Sequence, residues 1–247
     1  MREAAVIIGA SQGLGKSLAY VLAENGIDVI LSARSKRDLE AIANDLVIRF
    51  QIKAISMPVD LEKIGTEEGL QFVNDCFRNF SEINQVYITA GIINEEDYGT
   101  QSTKVLKEIM SVNFMGIAFL IEAFSKKLSH KNSNITVISS IAAIRPRSKN
   151  IAYAASKIAL EYFVGGLQHY YANNVLRLQL YRMGYMDTAM TVGRKLLLPI
   201  AKTEKVARYI FHNRNKKFRL KYYPRFWIIV AMMIKLLPWT IFKKLEQ

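Results

Sequence analysis

A serine pair, a tyrosine and a lysine stand at a spacing that suits proton transfer. Ser139 and Ser140 end an apolar run, Tyr153 comes thirteen residues after Ser140, and Lys157 comes four residues after Tyr153. Residues i and i+4 share one helix face, so we expect the Tyr153 phenol and the Lys157 ammonium to lie one turn apart. An ammonium beside a phenol favours the phenolate. The pattern therefore predicts a lowered pKa for Tyr153 and a role in general acid–base catalysis.

A glycine-rich segment near the N-terminus has the composition of a phosphate-binding loop. Residues 9–15 follow a short apolar run and read Gly-x-x-x-Gly-x-Gly, ahead of a helical pattern. Glycines allow a sharp turn and a close approach to an anion, and the start of the next helix offers N–H groups and a positive dipole end. We therefore expect this loop to bind the pyrophosphate of a dinucleotide. The predicted contacts are Gly9, Ser11, Gly13, Leu14 and Gly15.

The end of the second apolar run favours NADP(H) over NAD(H). NAD-preferring sites usually place a carboxylate there for the ribose 2′-hydroxyl, whereas this chain has Ala33 followed by Arg34. A guanidinium binds a 2′-phosphate in a fork, and a carboxylate would repel it. Asp60, after the third apolar run, is a candidate acceptor for the adenine amino group. A helix cap or a turn is the alternative role for Asp60.

Short apolar runs alternate with longer segments of helical period through most of the chain. This alternation predicts an α/β fold with a Rossmann-type, doubly wound parallel sheet in a single domain, and a ligand at the carboxyl ends of the strands. The predicted strands are Ala4–Ile8, Asp28–Ser32, Ala54–Met57, Gln85–Thr89, Ile135–Ser139 and Leu176–Leu180. The predicted helices between them are Leu14–Asn25, Arg37–Phe50, Glu67–Phe80 and Val105–Leu128.

With these motifs in this order, the chain resembles the classical short-chain dehydrogenase/reductase family over roughly residues 4–190. The resemblance implies that Tyr153 is the general acid/base and that Ser140 hydrogen-bonds the substrate oxygen. It implies that Lys157 lowers the pKa of Tyr153 and binds the nicotinamide ribose. Asn113 matches the family asparagine that supports a proton-relay water, and Ser139 matches a neighbouring structural position. Further cofactor contacts implied by the resemblance are Ala90, Gly91, Tyr153 and Thr188.

Three positions depart from the family pattern. Ile8 stands where the family usually has Thr, Thr89 replaces Asn in the Asn-Ala-Gly motif, and Met183 replaces Pro ahead of Gly184. None of these changes removes a catalytic group. We therefore expect altered loop geometry and an unchanged reaction.

The last fifth of the chain differs in charge from the rest. Residues 194–247 hold 14 Lys and Arg against two acids, so they carry +12 of the formal net charge of +13. We assign residues 1–193 to the cofactor-binding and catalytic core, and residues 194–247 to a substrate-loop region and a basic apolar extension of the same domain. Residues 216–221 suit a last strand, and residues 224–245 suit a helical segment.

Two roles fit the apolar extension. Its apolar run is interrupted by Lys235 and Pro238 and is short for a bilayer-spanning helix, so a helix lying on an anionic membrane through residues 216–245 is the favoured hypothesis. The alternative is a helix that covers the substrate pocket or an oligomer interface. Nucleic-acid binding is disfavoured because the basic residues adjoin an apolar run and no recognition module is present.

The sequence therefore predicts an NADP(H)-dependent oxidoreductase that moves a hydride between nicotinamide and a carbonyl or alcohol, on a small apolar or lipid-linked substrate. The alternative is a catalytically idle relative that serves in binding or membrane-associated assembly. The three scattered histidines predict no metal site, and a single cysteine, Cys76, indicates a reducing, cytoplasmic setting. We also expect a homo-oligomer that is peripheral on the membrane.

Overall fold

A seven-stranded sheet runs through the centre of the molecule, with every strand parallel to its neighbours. The computed structural model describes residues 2–98, 102–191, 193 and 198–244. The strands are β1 Ala4–Ile8, β2 Asp28–Ser32, β3 Ala54–Ser56, β4 Ile83–Ile88, β5 Asn134–Ser140, β6 Arg177–Met183 and β7 Leu220–Tyr223. Their order across the sheet is β3-β2-β1-β4-β5-β6-β7. Because the order reverses between β1 and β4, a crevice opens at the carboxyl ends of these two strands.

Helices cover both faces of the sheet. They are α1 Gly13–Glu24, α2 Lys36–Phe50, α3 Thr66–Asn79, α4 Thr103–Met110, α5 Gly116–Leu128, α6 Ile151–Tyr170, α7 Thr203–His212, α8 Trp227–Leu236 and α9 Trp239–Phe242. Side chains of α1, α2 and α7 form one apolar core with β1 residues Ala5 and Ile7. Those of α3, α5 and α6 form a second core with Val6 and Ile8 on the opposite face. The predicted doubly wound α/β fold is confirmed.

The segment predicted as one helix, Val105–Leu128, is divided. A π-helical turn at Ser111–Met115 lies between α4 and α5. In a π turn each hydrogen bond spans one more residue than in an α-helix, and such turns are frequent at functional sites. Here the widened turn holds Asn113, a residue implicated by the family resemblance.

The C-terminal elements also differ in detail from the expectation. β7 begins four residues later than predicted, because the Gln179 side chain binds the carbonyl oxygens of Asn213 and Lys216 at 3.0 and 2.6 Å and holds a turn there. The predicted helical segment is two helices, α8 and α9, separated at Leu237 and Pro238. Pro238 has no N–H for a continuing helix. Among residues 2–98, 102–191, 193 and 198–244, no helix combines the length and apolar character needed to cross a bilayer.

Candidate active site

A cavity of about 290 Å³ opens at the carboxyl ends of β1 and β4. Every predicted residue of the glycine-rich loop lines it, and Arg34, Ala90, Gly91 and Thr188 line it as well. Gly9 and Gly13 have φ of 95° and 54°, the left-handed region that favours glycine. Within the described range 2–98, the Gln12 side chain accepts no hydrogen bond from the first turn of α1. The N–H groups at this helix start therefore face the cavity without a side-chain cap.

Thr89 closes the loop from the neighbouring strand. Its hydroxyl donates to the carbonyl oxygen of Ile8 at 2.9 Å, so the hydroxyl ties the ends of β1 and β4 together. A Cβ at Gly15 would overlap the carbonyl oxygen of Gly9. The loop geometry thus depends on the glycines and on Thr89, the residue that departs from the family motif.

Asp60, another predicted cofactor contact, does not line the first cavity. Its neighbours Val59 and Leu61 line the cavity. The Asp60 carboxylate accepts the Glu62 N–H at 3.1 Å and lies 3.8 Å from the Lys63 ammonium. These contacts form a local turn, which is the alternative role that the sequence left open.

A second cavity, of about 170 Å³, adjoins the first and contains the predicted catalytic side chains. Ser140, Tyr153 and Lys157 all line it. Ser140 ends β5, and a 3₁₀ turn at Ile141–Ile144 follows it. Tyr153 and Lys157 lie in the first two turns of α6. The two cavities share a wall formed by Thr89, Ala90, Gly91, Ile138, Met186, Thr188 and Met190.

The Asn113 side chain holds the backbone of Ile92, a residue that lines the first cavity. This side chain donates to the Ile92 carbonyl oxygen at 2.9 Å and accepts the Ile92 N–H at 2.7 Å. Its amide nitrogen also donates to the Ser156 hydroxyl at 3.2 Å. The Lys157 amine donates to the Ile138 carbonyl oxygen at 3.4 Å. A Cβ at Gly91 would come within 3.1 Å of that amine, so this glycine keeps the space in front of it open.

Burial controls the pKa of both catalytic candidates on α6. It raises the pKa of Tyr153, and a hydrogen bond with Ser140 partly offsets that rise. It lowers the pKa of Lys157 to about 8, against a smaller opposing effect of the Glu161 carboxylate. The Lys157 amine lies 5.8 Å from the centre of the Tyr153 ring. The expected lowering of the Tyr153 pKa is therefore not found in this structure, because desolvation of the phenol is the larger effect.

A buried ion pair lies one turn further along α6. The Glu161 carboxylate pairs with the Arg182 guanidinium on β6, and both side chains are about 7% exposed. Glu161 also accepts the Ser139 hydroxyl at 2.7 Å. Arg182 in turn contacts the Tyr222 hydroxyl on β7. The Ser139 hydroxyl thus belongs to this buried network, although Ser139 also lines the catalytic cavity.

Helix α8 packs behind Gly184 and Tyr185, two residues that line the second cavity. Trp227, at the start of α8, is 1% exposed and packs against Tyr185 with ring centres 5.2 Å apart. A Cβ at Gly184 would overlap the Trp227 indole. Arg145, at the end of the 3₁₀ turn, donates to the carbonyl oxygens of Ile234 and Leu237 at 2.7 and 2.5 Å.

A sequence profile described as short chain dehydrogenase matches residues 3–196, well over half of the chain. The chain belongs to the short chain dehydrogenase family. In the described part of this family member, no three His, Cys, Asp or Glu side chains come together as a potential metal site.

Several curated short chain dehydrogenase relatives are similar at low identity. The dehydrogenase/reductase SDR family protein 7-like of Drosophila melanogaster is 29% identical over 192 residues, which cover 76% of this chain and 58% of that protein. The 11-beta-hydroxysteroid dehydrogenase A of Sesamum indicum is 26% identical, over 76% of this chain and 54% of that protein. The inactive hydroxysteroid dehydrogenase-like protein 1 of Homo sapiens is 26% identical, over 78% and 58%. The chain therefore spans little more than half the length of these relatives.

Solved short chain dehydrogenases share the fold. An alcohol dehydrogenase from Thermococcus sibiricus in complex with 5-hydroxy-NADP superposes with a TM-score of 0.80 at 23% identity, covering 90% of this chain and 96% of that one. A short-chain dehydrogenase from Sphingobium yanoikuyae in complex with NADPH gives a TM-score of 0.80 at 18% identity, covering 96% and 97%. The similarity extends beyond the profile match, into the C-terminal elements.

Proposed function

We propose that this chain is an NADP(H)-dependent oxidoreductase that transfers a hydride between nicotinamide and a carbonyl or alcohol. One observation carries the proposal: the cavity holding Ser140, Tyr153 and Lys157 shares a wall with the cavity built on the glycine-rich loop. A substrate in the first of these and a dinucleotide in the second would meet at that wall. Membership of the short chain dehydrogenase family supports the reaction class.

The glycine-rich loop and Arg34 fit a phosphorylated dinucleotide. Gly9 and Gly13 let the loop backbone follow the cavity, and the uncapped start of α1 suits a pyrophosphate. Arg34 is exposed at the end of the cavity where the second strand finishes, and a guanidinium there favours a 2′-phosphate. When bound, the nicotinamide supplies or accepts the hydride. The solved relatives in complex with NADPH and an NADP derivative support the cofactor class.

Tyr153 and Ser140 would handle the oxygen of the substrate. Because burial raises the Tyr153 pKa, the side chain is a protonated phenol near neutral pH, the form that can give a proton to a carbonyl oxygen during reduction. Ser140, which lines the same cavity as Tyr153, would orient the same oxygen. Lys157 would place a positive charge beside this pair whenever its amine, with a pKa of about 8, is protonated.

We infer that the substrate is apolar or carried on a lipid. The catalytic cavity is lined in large part by apolar side chains, including those of Ile93, Ile141, Met183, Met186 and Met190. The wall behind Gly184 is the Trp227 indole, which belongs to α8. The most apolar helix of the C-terminal segment therefore stands beside the substrate cavity.

We infer that α8 and α9 dock on an anionic membrane. One face of this helix pair is buried on the protein through Trp227, Ala231 and Phe242. The other face exposes large apolar side chains, namely Ile228, Ile229, Met232, Met233, Leu236, Trp239 and Ile241. Around them stand the exposed cations Arg225, Lys235, Lys243 and Lys244. A large apolar side chain that leaves water completely contributes roughly 1.5–3 kcal/mol, and basic residues near headgroups add to this.

We also propose that the chain forms a homo-oligomer through the outer face of α6. Tyr162 and Tyr170 on this face are both 78% exposed, and large exposed aromatics are characteristic of association surfaces. Static light scattering after gel filtration measures the mass directly, and a mass near 28.1 kDa at micromolar concentration would contradict this assignment.

The test of the proposed reaction is Tyr153→Phe. We expect turnover to fall by about 10²–10⁴-fold, the usual contribution of a general acid, while the Kd for NADPH stays unchanged. NADPH oxidation on a panel of apolar ketones and aldehydes gives the rates, and fluorescence titration gives the Kd. Tyr162→Phe on the same helix is the matched control, because it removes a phenol hydroxyl that lies outside the catalytic cavity.

Two results would change the assignment. A Tyr153→Phe variant that reduces an identified substrate at the wild-type rate removes Tyr153 from the chemistry. A wild-type protein that binds NADPH and turns over nothing favours the catalytically idle alternative, a class that includes one relative named inactive.

The membrane surface is tested without truncating the chain. We expect wild-type protein to co-sediment with vesicles of phosphatidylcholine and phosphatidylglycerol, and a triple variant, Ile229→Ser, Met233→Ser and Leu236→Ser, to stay in the supernatant. These side chains are 60%, 63% and 82% exposed, so the substitutions leave the fold intact. Ile48→Ser, 79% exposed on α2, is the control. Wild-type protein that stays in the supernatant with these vesicles contradicts the docking.

A further inference from the structure

The catalytic helix begins at an unusual N-terminus. α6 starts at Ile151, and Tyr153 is its third residue. Asn150, the residue before the helix, has the left-handed φ and ψ of 58° and 47°, and within the described range 102–191 its side chain caps no N–H group. The first N–H groups of a helix have no intrahelical acceptor and need one from elsewhere.

Asp97 supplies those acceptors from a distant loop. One carboxylate oxygen accepts the Ala152 N–H at 2.8 Å, and the other accepts the Tyr153 N–H at 2.9 Å. The Asp97 carbonyl oxygen accepts the Asn150 N–H at 2.8 Å. The Asp97 side chain is 2% exposed, so these hydrogen bonds are shielded from water. A buried carboxylate here is stabilised by both N–H donors and by the positive end of the helix dipole.

The same loop is fixed at its other end by a residue of the site. Ile92, five residues before Asp97, is held through both its N–H and its carbonyl by the Asn113 side chain. Ile93, the next residue, lines the catalytic cavity. The segment from Ile92 to Asp97 therefore links the π-helical turn of Asn113 to the backbone of Tyr153.

We propose that Asp97 is a positioning residue for Tyr153, acting through the first turn of α6. The carboxylate holds the Tyr153 N–H itself, so the height of the phenol above Ser140 depends on this contact. Displacing a reacting group by about 1 Å costs rate far more than it costs binding. This inference rests on the proposed function only for its kinetic consequence, and the backbone anchoring stands independently of it.

The test compares Asp97→Ala and Asp97→Asn with wild type. Alanine removes both acceptors and is expected to lower kcat about tenfold to a hundredfold, with the Kd and KM for NADPH within about twofold of wild type. Asparagine has nearly the same shape and keeps one acceptor oxygen, so the kcat of this variant is expected to lie between those of wild type and the alanine variant. The asparagine variant also tests the proposal if the alanine variant does not fold. Glu68→Gln is the control, since Glu68 accepts the Gly65 N–H at the start of α3, remote from the site.

Hydrogen–deuterium exchange provides a readout that does not depend on turnover. We expect Asp97→Asn to lose protection at the peptide covering residues 151–157 and to keep it in β1 and β4. Unchanged kcat and unchanged exchange in both variants would overturn the proposal, and so would a protection loss spread evenly over the fold. If wild-type protein proves inactive, local loss of protection still supports the anchoring, and the proposed function alone fails.

Discussion

The buried Lys157 amine destabilises the folded state by an amount that depends on pH. Burial lowers the pKa of this amine from 10.5 to about 8. Between these two values the unfolded chain binds more protons than the folded protein, so this group makes the folded state more stable as pH rises through that window. Below about pH 8 the amine is charged in both states, and the full desolvation cost is present.

The corresponding prediction concerns Lys157→Met, a substitution of similar length without the charge. Wild-type protein should gain on the order of 2 kcal/mol of unfolding free energy relative to the variant between about pH 7 and about pH 9.5. Urea unfolding of both proteins at the two pH values measures this difference. A wild-type-minus-variant difference that is constant with pH, or that falls as pH rises, would show that the amine is not desolvated.

Arg34 determines the second residue-scale prediction. Arg34→Ala should weaken NADPH binding by about 1.5–3 kcal/mol, the range for hydrogen bonds to charged groups, and leave NADH binding unchanged. Isothermal titration of both cofactors into both proteins decides it. Arg37→Ala, an exposed cation outside the cavity lining, should leave both affinities as they are. Equal affinities of wild type for the two cofactors would refute the preference.

Residue spacing along the chain was enough to predict those parts of the site that lie close together in the sequence. Tyr153 and Lys157 share a helix face because of the i and i+4 rule, and the glycine-rich loop follows its strand directly. Asp97 gave no such signal, because its partners on α6 lie 55 and 56 residues away in the chain. The raised pKa of Tyr153 was also out of reach, since burial depends on the tertiary packing around the phenol.

Among the elements, the predictions succeeded for the buried strands and failed at the interruptions. β1 and β2 have the predicted bounds, because a run of apolar residues between turn residues defines a buried parallel strand. The π-helical turn inside the predicted Val105–Leu128 helix leaves the hydrophobic period of the segment almost unchanged, so the sequence pattern does not reveal it. The late start of β7 depends on the Gln179 side chain, a contact between distant residues.

The contact between the end of β6 and the start of α8 leads to an element-scale prediction. Gly184→Ala should destabilise the fold by about 1–3 kcal/mol, because its Cβ would overlap the Trp227 indole. In the double variant with Trp227→Leu, the smaller side chain makes room for the new Cβ. The double variant should therefore lose less unfolding free energy than the two single variants lose together. Guanidinium unfolding of the two single variants and the double variant measures the coupling. Strict additivity would mean that Gly184 and Trp227 do not share space.

At the scale of the whole molecule, the basic extension is fixed to the catalytic core through Arg145. The guanidinium binds two carbonyl oxygens at the end of α8 and lies 4.1 Å from the centre of the Phe242 ring. Arg145→Ala should lower the unfolding free energy by about 1.5–3 kcal/mol and speed tryptic cleavage at Lys235. Arg78→Ala, which breaks an exposed ion pair with Asp75, should change stability by less than about 1 kcal/mol. Equal effects of the two substitutions would show that the extension is not held by Arg145.

The intrinsic fluorescence of the two tryptophans reports on the C-terminal extension. The sequence contains only Trp227 and Trp239, and both belong to the α8–α9 pair. Trp227 is 1% exposed, whereas Trp239 is 61% exposed. Excitation of tryptophan therefore reports on this segment alone, with a buried indole that shifts to the red if α8 leaves the core. The exposed indole is open to quenching by iodide and shifts to the blue when it enters a lipid headgroup layer. Release from the core and arrival at a membrane thus give emission changes of opposite sign, without any dye or engineered label.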